Sequence, residues 1–152
     1  MNQQTSPLDP VLEVHQSIEI DATAEAAFDA VLEEFGPLST GDDGRSMNLK
    51  IEPWPGGRWY RDLGHHNGHL WGFVQVIKRP MLLELYGPMF MSDAALNHVQ
   101  IRITPREPAG VTLTLLHRGV GMIAQPFIEG TQRGWRESIE RIKQISESSN
   151  VA

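Results

Sequence analysis

The sequence predicts an α+β domain in which a curved antiparallel sheet of six or seven strands wraps around a long C-terminal helix. Three observations carry this. Between residues 46 and 118 apolar residues recur mostly at every second position, in short runs bounded by turn residues. The runs follow one another through connections too short for a crossover helix, which makes successive strands antiparallel neighbours. At the chain's end Ile128, Thr131, Trp135, Ile139, Ile142 and Ile145 fall on one helical stripe, with Arg133, Arg136, Glu137, Glu140 and Lys143 off it. A single amphipathic helix of that length has one large apolar surface to cover, the sheet.

In chain order, residues 1–10 are polar, contain Pro7 and Pro10, and read as a disordered N-terminus ahead of one domain spanning 11–148. Leu12, Val14, Ile18 and Ile20 alternate with Glu13, His15, Ser17 and Glu19, which is a strand with one buried face. Thr23 supplies an N-cap oxygen for a helix over 24–35, where Phe28, Val31, Leu32 and Phe35 keep helical spacing and Gly36-Pro37 stops it. Leu38 to Gly44 is a Gly/Asp-rich loop or at most one helical turn. Strands are placed near 46–52, 57–63, 69–78, 82–87, 97–104 and 111–118, and the closing helix over 127–147. Their connections carry turn chemistry at Pro55-Gly56-Gly57, Asn67-Gly68, Arg79-Pro80 and Pro105 to Gly110, and Asn67-Gly68 is the strongest hairpin signal.

Composition excludes several partners. The net charge of -6, with no Lys/Arg cluster, leaves no electrostatic footprint for a nucleic acid backbone. With no cysteine there are neither disulfides nor thiolate chemistry. Met1 to Pro7 has no basic or apolar signal-peptide region. No apolar run approaches the ~20 residues a membrane span needs. The expectation is a cytoplasmic monomer or homodimer without membrane association.

Pro55-Gly56-Gly57 is followed at once by the aromatic strand Trp59, Tyr60. Gly72 lies in the next strand and Pro80 before the one after it. Leu113-Thr114-Leu115-Leu116-His117-Arg118-Gly119 makes the penultimate element, and Gly134-Trp135 sits in the last helix. Over about residues 11–147 this set resembles the START-like (SRPBCC, helix-grip) superfamily, in the branch named for activators of the Hsp chaperone ATPase. The resemblance implies a helix-grip fold with a cavity between sheet and helix. For function it is permissive, because this superfamily hosts ligand carriers, cyclases, hydrolases and co-chaperones. Relatives carry a second short helix with a tryptophan after the first. Here Pro37 to Gly44 is short, polar and without Trp, so chaperone contact through that segment is not carried over.

In an up-and-down sheet every second connection lies at the same end. The 64–69 turn, the 88–96 loop and the 119–126 loop should therefore share a rim, gathering His65, His66, His69, Met89, Phe90, Met91, Met122, Ile123 and Phe127. Soft methionines there suit a repackable cavity mouth or a plug for the open end of the sheet. As a lid, the two loops would leave Met89, Phe90 and Met91 partly exposed. Candidate cavity walls for a small, largely apolar ligand are Trp59, Leu63, Trp71, Phe73, Leu83, Leu85, Phe90, Leu113, Leu115, His117, Phe127 and Thr131. His66 and His69, opposed across a two-residue turn, lack the third and fourth ligands a zinc site needs, so no metal and no cofactor is expected. For chemistry the candidates are His117, which shares parity with Val111, Leu113 and Leu115, and Arg61. One of Arg61 and Glu84 faces inward on this reading. His117 is either a general base or a core histidine bonded to a backbone carbonyl. The alternatives to ligand binding are a protein-interaction module resembling the chaperone activators and a cyclase- or hydrolase-type enzyme using the same cavity.

Overall fold

The computed structural model describes residues 10–148, so most of the expected disordered N-terminus, residues 1–9, lies outside the described residues, as do 149–152. The elements are β1 (Leu12–Ile20), α1 (Ala24–Glu34), β2 (Leu49–Ile51), β3 (Arg58–Gly64), β4 (Asn67–Lys78), β5 (Leu82–Gly87), β6 (Ala95–Pro105), β7 (Val111–Gly121) and α2 (Gln125–Ser148). The strands form one antiparallel sheet in the order β1-β7-β6-β5-β4-β3-β2. Between β1 and β2 the chain passes from one edge of the sheet to the other through α1 and the 35–48 segment. The rest is a meander that returns β7 beside β1, in register from Leu12↔Gly119 to Ile20↔Val111.

The elements form for the reasons their sequences give. In β1 Leu12, Val14 and Ile20 are buried and alternate with exposed residues, as a strand with one wet face requires. Thr23 Oγ1 accepts the Ala26 amide at 3.1 Å and caps α1. Along α2 Thr131, Trp135, Ile139 and Ile142 are buried, with Ile128 and Ile145 partly so. The core therefore lies between one face of the sheet and the two helices, with α1 packed on α2 and β6. No helix among the described residues is long and apolar enough to cross a membrane.

Four local expectations are corrected. First, β2 keeps three residues and not seven. Asn48 adopts φ 52° just before it and keeps only its carbonyl on the Asp62 amide, while the Met47 amide bonds to the Ser39 carbonyl, so regular pairing begins at Leu49. Second, the β3–β4 turn is His65-His66, with φ 53° and 62°, not Asn67-Gly68. Gly68 sits inside β4, where a Cβ would lie 2.1 Å from the Arg61 carbonyl oxygen, so the glycine serves a close backbone approach and not the turn. Third, Phe73 faces away from the helices. A bulge between the Trp59↔Gly72 and Tyr60↔Leu70 pairs makes Trp71 the extra residue, which turns Trp71 and Gly72 inward and Phe73 outward beside Arg58 and Tyr86. Simple alternation from Trp71 does not survive that insertion.

The fourth concerns the rim. The 88–94 and 122–124 segments do meet at one end of the sheet. The Met122 amide bonds to the Ala94 carbonyl at 2.9 Å, and the Met89 amide to the Trp71 carbonyl at 2.7 Å. Met89 and Met91, however, are wholly buried, whereas Phe90 is half-buried and Met122 exposed. The backbone at Met89, φ 60°, and the Asn97 amide on Met91 Sδ fix these side chains beneath the loop.

Candidate functional site

A cavity of about 830 Å³ lies between the first half of α2, the C-terminal end of α1, the 39–47 segment and the β2–β4 edge of the sheet. Aromatic rings make its floor. Phe35 stacks on Trp59 at 5.1 Å, and Trp59 meets Trp71 edge-on at 5.0 Å. Phe90 sits at the centre of a second group, with Trp71 at 5.8 Å, Phe127 at 6.0 Å and Trp135 at 6.4 Å, separations at which ring quadrupoles favour tilted and edge-to-face contacts. The bulge in β4 is what brings Trp71 into this group. The Trp59 indole N–H donates to the Phe35 carbonyl at 2.7 Å, tying β3 to the end of α1.

Beneath Phe90, His117 is wholly buried on β7. Its Nδ1 accepts the Trp135 indole N–H at 2.8 Å, and its Nε2 lies 2.7 Å from Asn97 Oδ1. An indole nitrogen only donates, so Nδ1 is the acceptor and the proton sits on Nε2, donated to Asn97. The Asn97 amide in turn donates to the Pro88 carbonyl at 3.2 Å. This network joins the 88–94 loop, β6, β7 and α2. Burial holds the imidazole pKa down to about 4, with a smaller contribution from the charge of His98. His117 is therefore a neutral structural imidazole whose single lone pair is already engaged. As a general base it lacks a free nitrogen, and its partners are side chains and not the backbone carbonyl expected of a core histidine.

The other end of the cavity is polar. Glu34, 2% exposed, accepts Arg141 Nε on both carboxylate oxygens at 2.9 Å and the Ser138 hydroxyl at 3.2 Å. Burial pushes its pKa up; Arg141 and Ser138 oppose that and do not cancel it. Arg133 and Glu137, an i,i+4 pair 3.5 Å apart, line the outer wall with Asp42.

Five of the twelve candidate wall residues line this cavity: Trp59, Trp71, Phe90, Phe127 and Thr131. Leu83, Leu85, Leu113 and Leu115 are fully buried in the centre of the core and do not reach it. His117 stands one layer behind Phe90, Phe73 lies on the outer face, and Leu63, 55% exposed, projects from the end of β3 where the strand loses register. Arg61 takes the inner side, pairing with Leu49, but its Nε donates to the Met47 carbonyl at 3.0 Å and it does not line the cavity. Glu84 takes the outer side, bonded to Gln100 at 2.6 Å. His66 occupies the turn while His69 pairs with Arg61, so the two are not opposed. Among the described residues no group of three His, Cys, Asp or Glu is arranged to hold a metal ion. The sequence reading missed Glu34, Ser138 and Arg141. The signal for Glu34 was its spacing from Ala27 and Val31, which puts a carboxylate on the buried stripe of α1.

No known family's sequence profile matches the chain, and no curated protein matches it in sequence. Solved structures do share its fold. Protein MLL2253 from Mesorhizobium loti is 17% identical with a TM-score of 0.70, over 91% of this chain and 99% of that one. SA2116 from Staphylococcus aureus, a protein of unknown function, is 12% identical with a TM-score of 0.65, over 92% and 97%. The Aha1 dimer from Colwellia psychrerythraea is 13% identical with a TM-score of 0.61, over 88% and 94%. At these identities the likeness is one of fold alone.

Proposed function

We propose that this protein binds a small, largely apolar organic molecule in the cavity between its sheet and its C-terminal helix. The observation that carries this reading is the ring-lined hollow of about 830 Å³, within the ~300–1,000 Å³ range of small-molecule sites. The resemblance to the START-like superfamily supports it, since ligand carriers are among that superfamily's members. Catalysis draws no support from His117, whose nitrogens are both engaged, or from Arg61, which stands off the cavity. The test is a titration with apolar aromatic probes, following tryptophan fluorescence and melting temperature. Saturable quenching with a raised melting temperature is expected in wild type, and at least about tenfold weaker binding in Phe90→Ser, which removes the ring shared by Trp71, Phe127 and Trp135. A flat response across a broad probe set refutes the proposal.

A second reading, a protein-interaction module, draws on a different surface. Leu96 and Val120 pair on the outer face, 55% and 46% exposed, with Val11 at 48% and Met122 at 78% near them. The Colwellia neighbour is described as a dimer. Sedimentation across a concentration series tests it. A dimer that Val120→Lys disperses supports this reading, and a monomer at every concentration, with no partner recovered, refutes it.

A further inference from the structure

The polar groups of the cavity narrow the ligand class. Three indole nitrogens belong to rings that line it. Trp59 donates to the Phe35 carbonyl and Trp135 to His117, but the Trp71 N–H is buried with no acceptor among the described residues. Arg141 carries five N–H donors. Its Nε alone addresses both oxygens of Glu34, while its Nη1 and Nη2 have no acceptor among the described residues and the side chain is 37% exposed on the cavity wall. The buried acceptor of the site, the Glu34 carboxylate, is by contrast already taken by Arg141 and Ser138. The wall's other carboxylates are Glu137, which is paired with Arg133, and Asp42, which is exposed; the charged group beside the buried end of the cavity that keeps unused hydrogen-bond capacity is Arg141.

We infer that the ligand is a planar aromatic molecule bearing an anionic oxygen, its rings laid on Trp59, Trp71 and Phe90 and its carboxylate-type group received by the free η edge of Arg141. The guanidinium is planar with two usable edges, so an anion on the η edge sits away from Glu34, which holds the ε edge. An aromatic floor alone also suits a cation, through the negative faces of the rings. A cation needs an unengaged carboxylate beside it, however; Glu34 is held by Arg141 and Ser138, Glu137 is paired with Arg133, and Asp42 lies exposed on the outer wall, where water screens it. Glu34 acts here as a positioning residue that fixes the plane of Arg141.

This inference rests on the binding proposed above, and the experiment keeps the two apart. Wild type is titrated by tryptophan fluorescence with 2-naphthoate, 2-methylnaphthalene and 2-naphthylmethylamine, which share one ring system and differ in charge. The expected order is naphthoate tightest, by roughly tenfold or more over the other two, the scale of one charge-assisted hydrogen-bonded pair. Arg141→Lys keeps a charge but loses the fork. Glu34→Gln/Arg141→Gln replaces the ion pair with a neutral one and avoids stranding a buried carboxylate. In both variants, checked for folding by their melting curves, the advantage of naphthoate should shrink to about threefold or less while methylnaphthalene affinity holds. If the amine binds as tightly as the acid, or the advantage survives in both variants, the inference is overturned and the cavity reading stands. If no naphthalene probe binds, both fall.

Discussion

Acid should destabilise this protein through His117 while the carboxylates that ion pairs hold low, Glu52 and Asp62, still keep their charge. The folded-state pKa of His117 is depressed to about 4 from an ordinary 6.5, because the folded protein buries a neutral imidazole whose Nδ1 is taken by Trp135. Above pH 6.5 the residue is neutral folded and unfolded and contributes no pH dependence. Between 6.5 and 4 the unfolded chain binds a proton that the folded chain refuses, so stability falls as pH falls. At about 1.4 kcal/mol per pKa unit, the loss is roughly 2 kcal/mol from pH 7 to 5 and approaches about 3 kcal/mol near pH 4. For a chain of this size that is a fall in Tm of about 4–8 °C between pH 7 and 5.

The perturbation that isolates it is His117→Gln. A glutamine does not titrate, yet it offers an acceptor to Trp135 and a donor to Asn97. Urea unfolding from pH 7.5 to 4.5 should give curves for wild type and variant that converge as pH falls, by about 2 kcal/mol at pH 5. Carboxylates held low by their partners, Glu52 at about 2 by Arg58 and Asp62 by Lys50, lose their contribution only at lower pH and do so in both proteins. Parallel curves through pH 6.5 to 4.5 refute the reasoning and mean that His117 takes up a proton without leaving the core.

Three further outcomes are expected. Trp135→Ala removes a 6% exposed ring and the donor to His117, and should cost roughly 3–5 kcal/mol by urea melts, whereas Trp135→Phe keeps most of the packing and should cost about 1–3 kcal/mol. Arg141→Ala strands the buried Glu34 carboxylate and should cost about 1.5–3 kcal/mol at neutral pH, a modest figure because Arg141 is partly exposed. The raised pKa of Glu34 makes its neutral form the better folded species, so the defect should narrow as pH falls and Glu34 protonates. Gly134→Ala adds a Cβ that meets nothing within 4 Å, and should raise stability by about 0.5–1 kcal/mol while Gly134→Phe blocks probe binding.

Wherever hydrophobic period and turn chemistry agree, the sequence was legible. β5, β6, β7 and α2 lie within a few residues of their expected bounds, because each has a long regular pattern and a clear stop. What failed were insertions of a single residue. The bulge at Trp71 and the loss of register at Leu63 reverse the face of everything counted through them, and neither alters the local composition that a reader of the sequence sees. Asn67-Gly68 misled for a related reason. A glycine demanded by a backbone 2.1 Å from its absent Cβ looks the same in one dimension as a glycine demanded by a turn. The aromatic floor was half visible, since Trp59, Trp71, Phe90 and Phe127 were named, but its polar end was not. Glu34 and Arg141 stand 107 residues apart, and only the packing of α1 on α2 brings them together.

Several features that lower stability stand around the cavity. Gly130 and Gly134 interrupt the helical stretch of α2 that faces the hollow, where any residue but proline forms helix better and a Cβ would meet nothing within 4 Å. Glu34 is a charge in a setting that disfavours charge, and Trp71 keeps a buried donor without an acceptor among the described residues. The far side of the same core shows none of this: Leu83, Leu85, Ile101, Leu113 and Leu115 interlock with at most 1% exposure. Selection for folding alone would fill the hollow with side chains and pair the indole, since each change is a single substitution that adds stability. On the binding reading proposed above, such a concentration on one wall is expected, because a bound molecule would supply the missing volume. The stability that a bound aromatic acid adds should therefore exceed that of an uncharged ring of equal size, and in Glu34→Gln/Arg141→Gln the excess should largely vanish.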